Sequence, residues 1–230
     1  IDNDRYGFNG WQYEQIPALY VGYGGETLKK DDNGLPVLNI YSQQQNAVID
    51  AMIEVFANPG AVYEGASSAV YRNAFKSGNL LFVDGFFHHL QGYSDMEDDF
   101  GFVPYPKLNE EQESYYSRSA NIGCLTYIPV TLDPDRYDLV GATLETWAYY
   151  GSEIVLPTYY DIVLTIKSTR DMESEQMIPI IKNSAKFMDQ AIGFGPTTFV
   201  MSGQNTLASY WMANKSTFEE KLATLIKVYK

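Results

Sequence analysis

The sequence contains one cysteine and only two histidines among its 230 residues. A single thiol cannot form a disulfide within the chain or build a zinc site from several cysteines. Cys124 lies in the apolar run 122–128, where we expect a small buried side chain. His88 and His89 are neighbours in sequence. Because adjacent side chains do not converge on one ion, no metal site is expected.

Basic residues are also scarce, with 16 lysines and arginines against 29 aspartates and glutamates and a net charge of −13. Nucleic acids are bound through clustered positive charge, and anionic membrane surfaces attract basic segments. Neither partner is expected here. No stretch reaches the roughly 18–20 apolar residues that a membrane-spanning helix requires. The composition therefore indicates an acidic, solvated surface.

Motifs of several large enzyme classes are missing. There is no GxSxG sequence, no phosphate-binding loop and no HExxH sequence. Gly22, Gly24 and Gly25 follow a predicted helix instead of a strand, which argues against a nucleotide site. The acidic runs 97–99 and 110–113 are hydrophilic, so we expect solvated carboxylates instead of a glycoside-hydrolysing pair. No cofactor and no catalytic residue is predicted.

Aromatic residues, in contrast, are abundant: 19 tyrosines, 12 phenylalanines and 3 tryptophans. Aromatic rings stack on the apolar faces of sugar rings, although they also build hydrophobic cores. The composition alone leaves both uses open.

Capped helices alternate with short apolar strands, which predicts an α/β protein. Strands are predicted at 6–9, 80–83, 100–103 and 121–128, with a hairpin around Asp32-Asn33-Gly34, where the Asn-Gly pair supplies the positive φ angles. Helices are predicted at 11–20 (shortened or kinked by Pro17), from Ser42 to the stop signal at 58–60, and at 67–76, 133–150, 154–167 (broken at Pro157), 172–183, 203–214 and 216–229.

The stretch from Phe75 to Lys107 is the main evidence for the predicted α/β fold and for the position of its ligand-binding edge. The run 80–83 is unbroken and apolar, which predicts a strand covered on both faces. It ends at Asp84-Gly85, and Phe86, Phe87 and His88 follow at its carboxyl end. Ligands of open α/β sheets bind at that edge.

Four motifs occur in a specific order: AFKSGNLLFVDG (74–85), MEDDFGFVPYPKLNEEQESYY (96–116), IPVTLDPDRYDLVGATLETWAYY (128–150) and PTYYDIVLTIKSTRDMESEQM (157–177). In this order they resemble the C-terminal lobe of the extracellular solute-binding proteins of sugar ABC transporters, the group that includes maltose-binding protein. The resemblance covers nearly the whole chain.

The resemblance implies a type II periplasmic-binding-protein fold, in which a mixed sheet is flanked by helices. Residues 1–120 and 165–230 are expected to form the C-terminal lobe. Residues 121–164 are expected to cross to the other lobe, whose main segment would precede Ile1. Without that segment, the apolar side chains of this crossover should be partly exposed: Val140, Leu144, Trp147, Tyr150, Ile154 and Val155.

The resemblance further implies a non-catalytic carbohydrate-binding subunit of an ABC importer, with a membrane permease as partner. It would be extracellular or periplasmic and anchored through a lipidated N-terminus that these residues do not include. The ligand-binding residues expected from it are Trp11, Tyr13, Phe86, Phe87, His88, Tyr210 and Trp211, with Arg118 and Asn121 hydrogen-bonding sugar hydroxyls. A sugar-sensing ectodomain and a glycoside-processing enzyme remain alternatives.

Overall fold

The computed structural model describes residues 5–9, 13–58, 60, 62–63, 67–119, 126–165, 172–188 and 191–229. These residues form a mixed α/β arrangement of helices and small sheets, which confirms the predicted α/β class. Within them, no helix is both long enough and apolar enough to cross a membrane.

The strands are β1 (Tyr6–Asn9), β2 (Leu28–Lys30), β3 (Pro36–Leu38), β4 (Val62–Tyr63), β5 (Leu80–Phe82), β6 (Ser117–Arg118) and β7 (Ala185–Lys186). The α-helices are α1 (Gln15–Gly22), α2 (Gln43–Phe56), α3 (Ser68–Lys76), α4 (Tyr137–Tyr150), α5 (Leu156–Thr165), α6 (Met172–Asn183), α7 (Thr197–Ser202) and α8 (Leu207–Tyr229). Short 3₁₀ segments cover Phe87–Tyr93 and Pro134–Arg136, and a π turn covers Gly151–Val155.

A three-stranded parallel sheet in the order β4-β1-β5 positions the candidate site. Phe8 on β1 pairs with Val62 of β4 on one side and with Phe82 of β5 on the other. Because all three strands run the same way, their carboxyl ends meet at one edge. The described residues form two further strand pairs, antiparallel β2-β3 and parallel β6-β7.

The prediction that the run 80–83 is covered on both faces is wrong. Leu80 is buried, but Leu81 is 70% exposed and Phe82 is 51% exposed. Strand β5 lies at the edge of a small sheet, so fewer elements are available to cover it than a central strand would have.

The strand predicted at 100–103 does not form either. This segment belongs to no ladder, and the N–H of Phe102 donates instead to Ser174 Oγ on α6 at 3.0 Å. Of the strand predicted at 121–128, residues 121–125 lie outside the described residues, and 126–128 are not in a strand.

The hairpin is confirmed, with one change in its turn. Gly34 has a φ of 77°, but Asn33 does not have a positive φ. The side chain of Asp31 closes the turn by accepting from the N–H groups of Asn33 and Leu35 at 2.9 and 2.8 Å. A carboxylate that satisfies these two donors replaces the predicted Asn-Gly geometry.

The first predicted helix begins later than expected, at Gln15. Pro17 therefore falls in the first turn, where its missing N–H is no loss, and no kink is needed. Helix α2 begins as predicted, because Ser42 Oγ accepts from the N–H of Gln45 at 3.2 Å.

The hydrophobic core lies where α1, α2, α7 and α8 meet. Ile16 and Tyr20 of α1 and Met52 of α2 are fully buried, as are Phe199 and Leu207. This cluster holds α1 in place, and α1 in turn carries part of the candidate site.

Two helix boundaries differ from the prediction. The chain stays helical from Leu207 to Tyr229 instead of restarting at Ser216, and Gly203 (φ 66°) ends α7. Similarly, Gly151 does not interrupt the helix. The π turn joins α4 to α5 ahead of Pro157, and its wider backbone accommodates the missing N–H and the bulk of the proline ring.

The predicted exposure of the apolar side chains on α4 and the π turn is confirmed. Trp147 is 67% exposed, Val155 is 62% exposed, and Tyr150 and Ile154 are exposed by more than half. Val140 and Leu144 are partly buried.

Candidate functional site

A partly buried hydrogen bond joins the ends of two parallel strands at the carboxyl edge of the sheet. Asp84 follows β5, and Gln15 opens the helix that follows β1. Gln15 Nε2 donates to Asp84 Oδ2 at 2.7 Å. Only 1% of Gln15 is exposed, so this amide is committed to the interior.

Two further side chains approach the same carboxylate from later parts of the chain. Strand β6 packs against α1, which brings Arg118 within electrostatic reach of Asp84. Tyr105 packs on Gly22, where an added Cβ would lie 2.7 Å from the Tyr105 Cβ. The absence of a side chain at Gly22 therefore allows Tyr105 to sit against α1 with its hydroxyl directed at Asp84.

We refer to Glu14, Gln15, Asp84, Tyr105 and Arg118 as the Asp84 cluster. Burial raises the pKa of Asp84, while the Tyr105 hydroxyl, the Gln15 amide and the Arg118 guanidinium oppose that rise. Burial, followed by the Asp84 charge, holds the pKa of Tyr105 well above its usual value. Burial and then Asp84 also raise the pKa of Glu14. The interior position, more than any single charge, therefore controls protonation here.

The cluster leaves hydrogen-bonding capacity unused. Gln15 Oε1, Tyr105 Oη and Arg118 Nε are buried without a hydrogen-bond partner of ordinary geometry within the described part of the chain. The Tyr105 hydroxyl nevertheless interacts with the Asp84 carboxylate, both as a hydrogen-bonding group and through the charge of that carboxylate. Buried polar atoms are nearly always paired in folded proteins. Gln15 Oε1 and Arg118 Nε are therefore exceptions to this rule among the described residues.

An aromatic pair lies two residues beyond Asp84. The rings of Phe86 and His88 stack at 5.6 Å with an angle of 8° between their planes. His89 Nδ1 accepts from the N–H of Phe86 at 3.3 Å. Burial, then His88, then Arg72 lower the pKa of His89, so His89 is neutral at neutral pH. We call the stacked rings of Phe86 and His88 the Phe86–His88 stack.

The other predicted site residues lie in different surroundings. Phe87 packs edge-on against Phe102 and Tyr160, and Tyr13 is exposed immediately before Glu14. Trp11 and Asn121 lie outside the described residues.

Tyr210 and Trp211 are part of the packing around α8. Tyr210 contacts Phe199 edge-on at 5.4 Å, and Trp211 stacks with Phe218 at 6.2 Å and with Tyr41 at 6.5 Å. The structure thus brings Phe86, His88 and Arg118 to the neighbourhood of Asp84, and it places Tyr210 and Trp211 against the core.

Sequence reasoning did not select Glu14, Gln15, Asp84 or Tyr105. Two of them carry a local signal. Gln15 is a polar residue in the otherwise apolar stretch QIPALYVG, and Asp84 directly follows an apolar strand at the ligand-binding edge of the sheet. Tyr105 has no such signal, because only the tertiary contact with Gly22 directs it here.

No group of three or more histidine, cysteine, aspartate or glutamate side chains among the described residues is arranged to hold a metal ion. Comparisons with protein-family models, with curated proteins and with solved structures found no match to this chain.

Proposed function

We propose that this chain belongs to the extracellular carbohydrate-binding subunit of an ABC importer, and that it binds a sugar or oligosaccharide without catalysis. The observation that carries this proposal is the position of the polar Asp84 cluster at the carboxyl edge of the parallel sheet, directly before the aromatic residues that follow β5. Sugar-binding sites require polar groups of this kind, which fix the orientation of ring hydroxyls.

The Phe86–His88 stack supports the same function. Because it follows Asp84 by two residues, an aromatic surface lies beside a hydrogen-bonding cluster. Sugars have hydroxyl groups at the edge of the ring and apolar C–H faces, so a site with both features suits them.

The finer parts of the proposal rest on the four sequence motifs. They favour a type II periplasmic-binding-protein fold of two lobes, with residues 121–164 crossing between the lobes. In this arrangement the sugar lies between the lobes, which close on it by a hinge motion, and the loaded protein docks on a membrane permease. The same motifs support an extracellular or periplasmic location with a lipid anchor.

Calorimetric titration of the full-length polypeptide with a panel of oligosaccharides tests this function. We use the full-length polypeptide because the resemblance predicts a site formed by both lobes. Gln15→Met should weaken binding of the best ligand by about 5- to 150-fold, which corresponds to an unsatisfied buried group costing about 1–3 kcal/mol. Gln43→Met, which changes an exposed glutamine on α2, is the control and should bind as the unaltered protein does. The absence of binding to every sugar in the panel would contradict the proposal.

One observation favours an enzyme instead. Glu14 and Asp84 interact, and burial raises the pKa of each, as a general acid of a glycoside hydrolase requires. Chromatography of the titrated oligosaccharides separates the two functions. Intact oligosaccharide after prolonged incubation supports a binding protein, whereas cleavage products that disappear in Asp84→Asn would establish hydrolysis.

A further inference from the structure

We infer that a cleft beside strands β6 and β7 is a second carbohydrate site of this chain, separate from the Asp84 cluster. This inference rests on the proposed function and adds a place at which the sugar binds. The cleft has a volume of about 570 Å³ and lies between residues 113–116, which precede β6, and residues 179–186, which span the end of α6 and strand β7. We call it the β6–β7 cleft. Its size is typical of small-molecule sites, which occupy about 300–1,000 Å³, and none of its described lining residues belongs to the Asp84 cluster.

Hydrogen bonds hold both walls of the cleft in place. The hydroxyl groups of Ser117 and Ser184 lie 2.9 Å apart, and the N–H of Ser117 donates to the Ser184 carbonyl at 3.0 Å. The wall that precedes β6 is also tied to α1, because Gln112 Nε2 donates to the carbonyls of Gly22 and Ser114 at 2.9 and 2.8 Å. The cleft is therefore formed before a ligand arrives, as most small-molecule sites are.

Three polar side chains of the cleft are exposed and available to a ligand. Glu113, Ser114 and Asn183 are exposed, and their side chains form no hydrogen bond or ion pair with other described residues. The carboxylate only accepts hydrogen bonds, whereas the hydroxyl and the amide both donate and accept. Neighbouring hydroxyl groups of a sugar ring can pair with all three.

Apolar surface lies next to these polar groups. Tyr115 is 38% exposed, Pro179 is exposed and Ile180 is half-buried, and all three line the cleft. An aromatic ring and a proline ring provide the flat apolar surface that the C–H face of a sugar ring covers. The cleft thus combines the two kinds of contact that a sugar requires.

The charged groups of the cleft argue against other classes of small molecule. Lys186 Nζ pairs with Glu26 Oε1 at 2.8 Å and lies 3.6 Å from the centre of the Tyr116 ring, so its charge is already used and is not free to bind an anion. Lys107 Nζ lies over the Tyr115 ring at 5.2 Å. Because both tyrosine rings already face an ammonium group, a cationic ligand would meet like charge on these rings. A hydroxylated ring needs neither an unpaired lysine nor an open cation site.

Nitration of tyrosines by tetranitromethane, read by peptide mass spectrometry, tests this site on the full-length protein. The probes are soluble oligomers of glucose, galactose, mannose and xylose at millimolar concentration, and calorimetry first identifies an oligomer that binds. At saturation with that oligomer, nitration of Tyr115 should slow in proportion to occupancy, while Tyr41, an exposed ring outside the cleft, should react at its original rate. Calorimetric binding without protection of Tyr115, or with equal protection of both rings, overturns the inference and leaves the proposed function intact. Absence of binding by every oligomer rejects both.

A matched pair of variants tests for direct contact in the cleft. Asn183→Ala removes the amide and should raise the oligomer concentration that half-protects Tyr115 by about 2- to 12-fold, which corresponds to one hydrogen bond. Asn33→Ala, which changes an exposed asparagine in the β2–β3 turn, is the control and should leave that concentration unchanged. If Asn183→Ala also leaves it unchanged, the sugar does not contact this amide and the inference is wrong. Both side chains are exposed, so neither substitution should impair folding, and the nitration of the unaltered protein does not depend on either variant.

Discussion

The buried hydrogen bond between Tyr20 and Gln45 provides a sharp test of how the core is held together. The Tyr20 hydroxyl donates to Gln45 Oε1 at 2.7 Å, and 1% of Tyr20 and none of Gln45 is exposed. The ring has little freedom to move, because a Cβ at Gly25 would overlap it and Phe194 lies on it at 6.2 Å. Tyr20→Phe therefore removes the hydroxyl while the ring stays in place.

The expected loss of stability follows from what the substitution leaves behind. Gln45 Nε2 already lacks a partner within the described part of the chain, so Tyr20→Phe leaves both ends of that amide unpaired. A buried group that loses its only partner costs about 1–3 kcal/mol. For a chain of this size, that corresponds to a fall in the melting temperature of about 2–12 °C.

A double-mutant cycle in urea isolates the interaction. Tyr20→Phe and Gln45→Met are measured singly and together, and we expect the pair to lose less stability than the sum of the single losses, by about 0.5–3 kcal/mol. Tyr41→Phe, at an exposed ring, is the control and should change the free energy of unfolding by less than about 0.5 kcal/mol. Additive single effects, or a Tyr20→Phe variant as stable as the wild type, would refute the reasoning.

Three further predictions test the site and the local structure around it. Because burial raises the pKa of Asp84, the folded chain binds a proton at this carboxylate more tightly than the unfolded chain does, so wild-type stability should fall as pH rises through the folded pKa. Urea unfolding of Asp84→Asn should show that this fall is absent. A stability difference between wild type and Asp84→Asn that does not vary with pH would disprove the prediction. Gly22→Ala should destabilise the chain by about 1–3 kcal/mol, because the new methyl group displaces Tyr105. Gly141→Ala is the control: it lies at a helical site with open space around it and should stabilise the chain by about 0.5–1 kcal/mol. Equal effects of the two substitutions in thermal unfolding would contradict the packing argument. Ser42→Ala should cost about 1 kcal/mol by removing the N-cap of α2, and a Ser42→Asp variant that fails to restore most of this loss would count against capping.

Local signals in the sequence predicted much of the secondary structure. Ser42 and Asp133 begin helical segments as expected, since each side chain accepts from a backbone N–H two or three residues ahead. Gly78 ends α3 with a φ of 71°. Each of these signals acts through atoms only a few residues apart, which is why one sequence is enough to find it.

The candidate site was predicted only in part. The carboxyl end of β5 was identified correctly as a polar and aromatic edge, because an apolar strand followed by Asp84-Gly85 and four ring-bearing residues is visible in the sequence. The partners of Asp84 were not found. Gln15 lies 69 residues away, and Tyr105 and Arg118 come from separate segments, so no spacing in the sequence relates them to Asp84.

The sequence by itself determined most of the helices and turns, and the tertiary structure decided what each of them contacts and where some of them begin and end. The apolar run 80–83 predicted a strand, but its position at the edge of a three-stranded sheet left Leu81 and Phe82 exposed. The capping signal at Ser216 was overridden, because Phe218 packs into the same buried cluster as Leu207 and one continuous helix buries both. Capping and turn formation depend on backbone hydrogen bonds between near neighbours. Burial and the assembly of the Asp84 cluster depend on contacts between distant segments, and those form only when the chain folds.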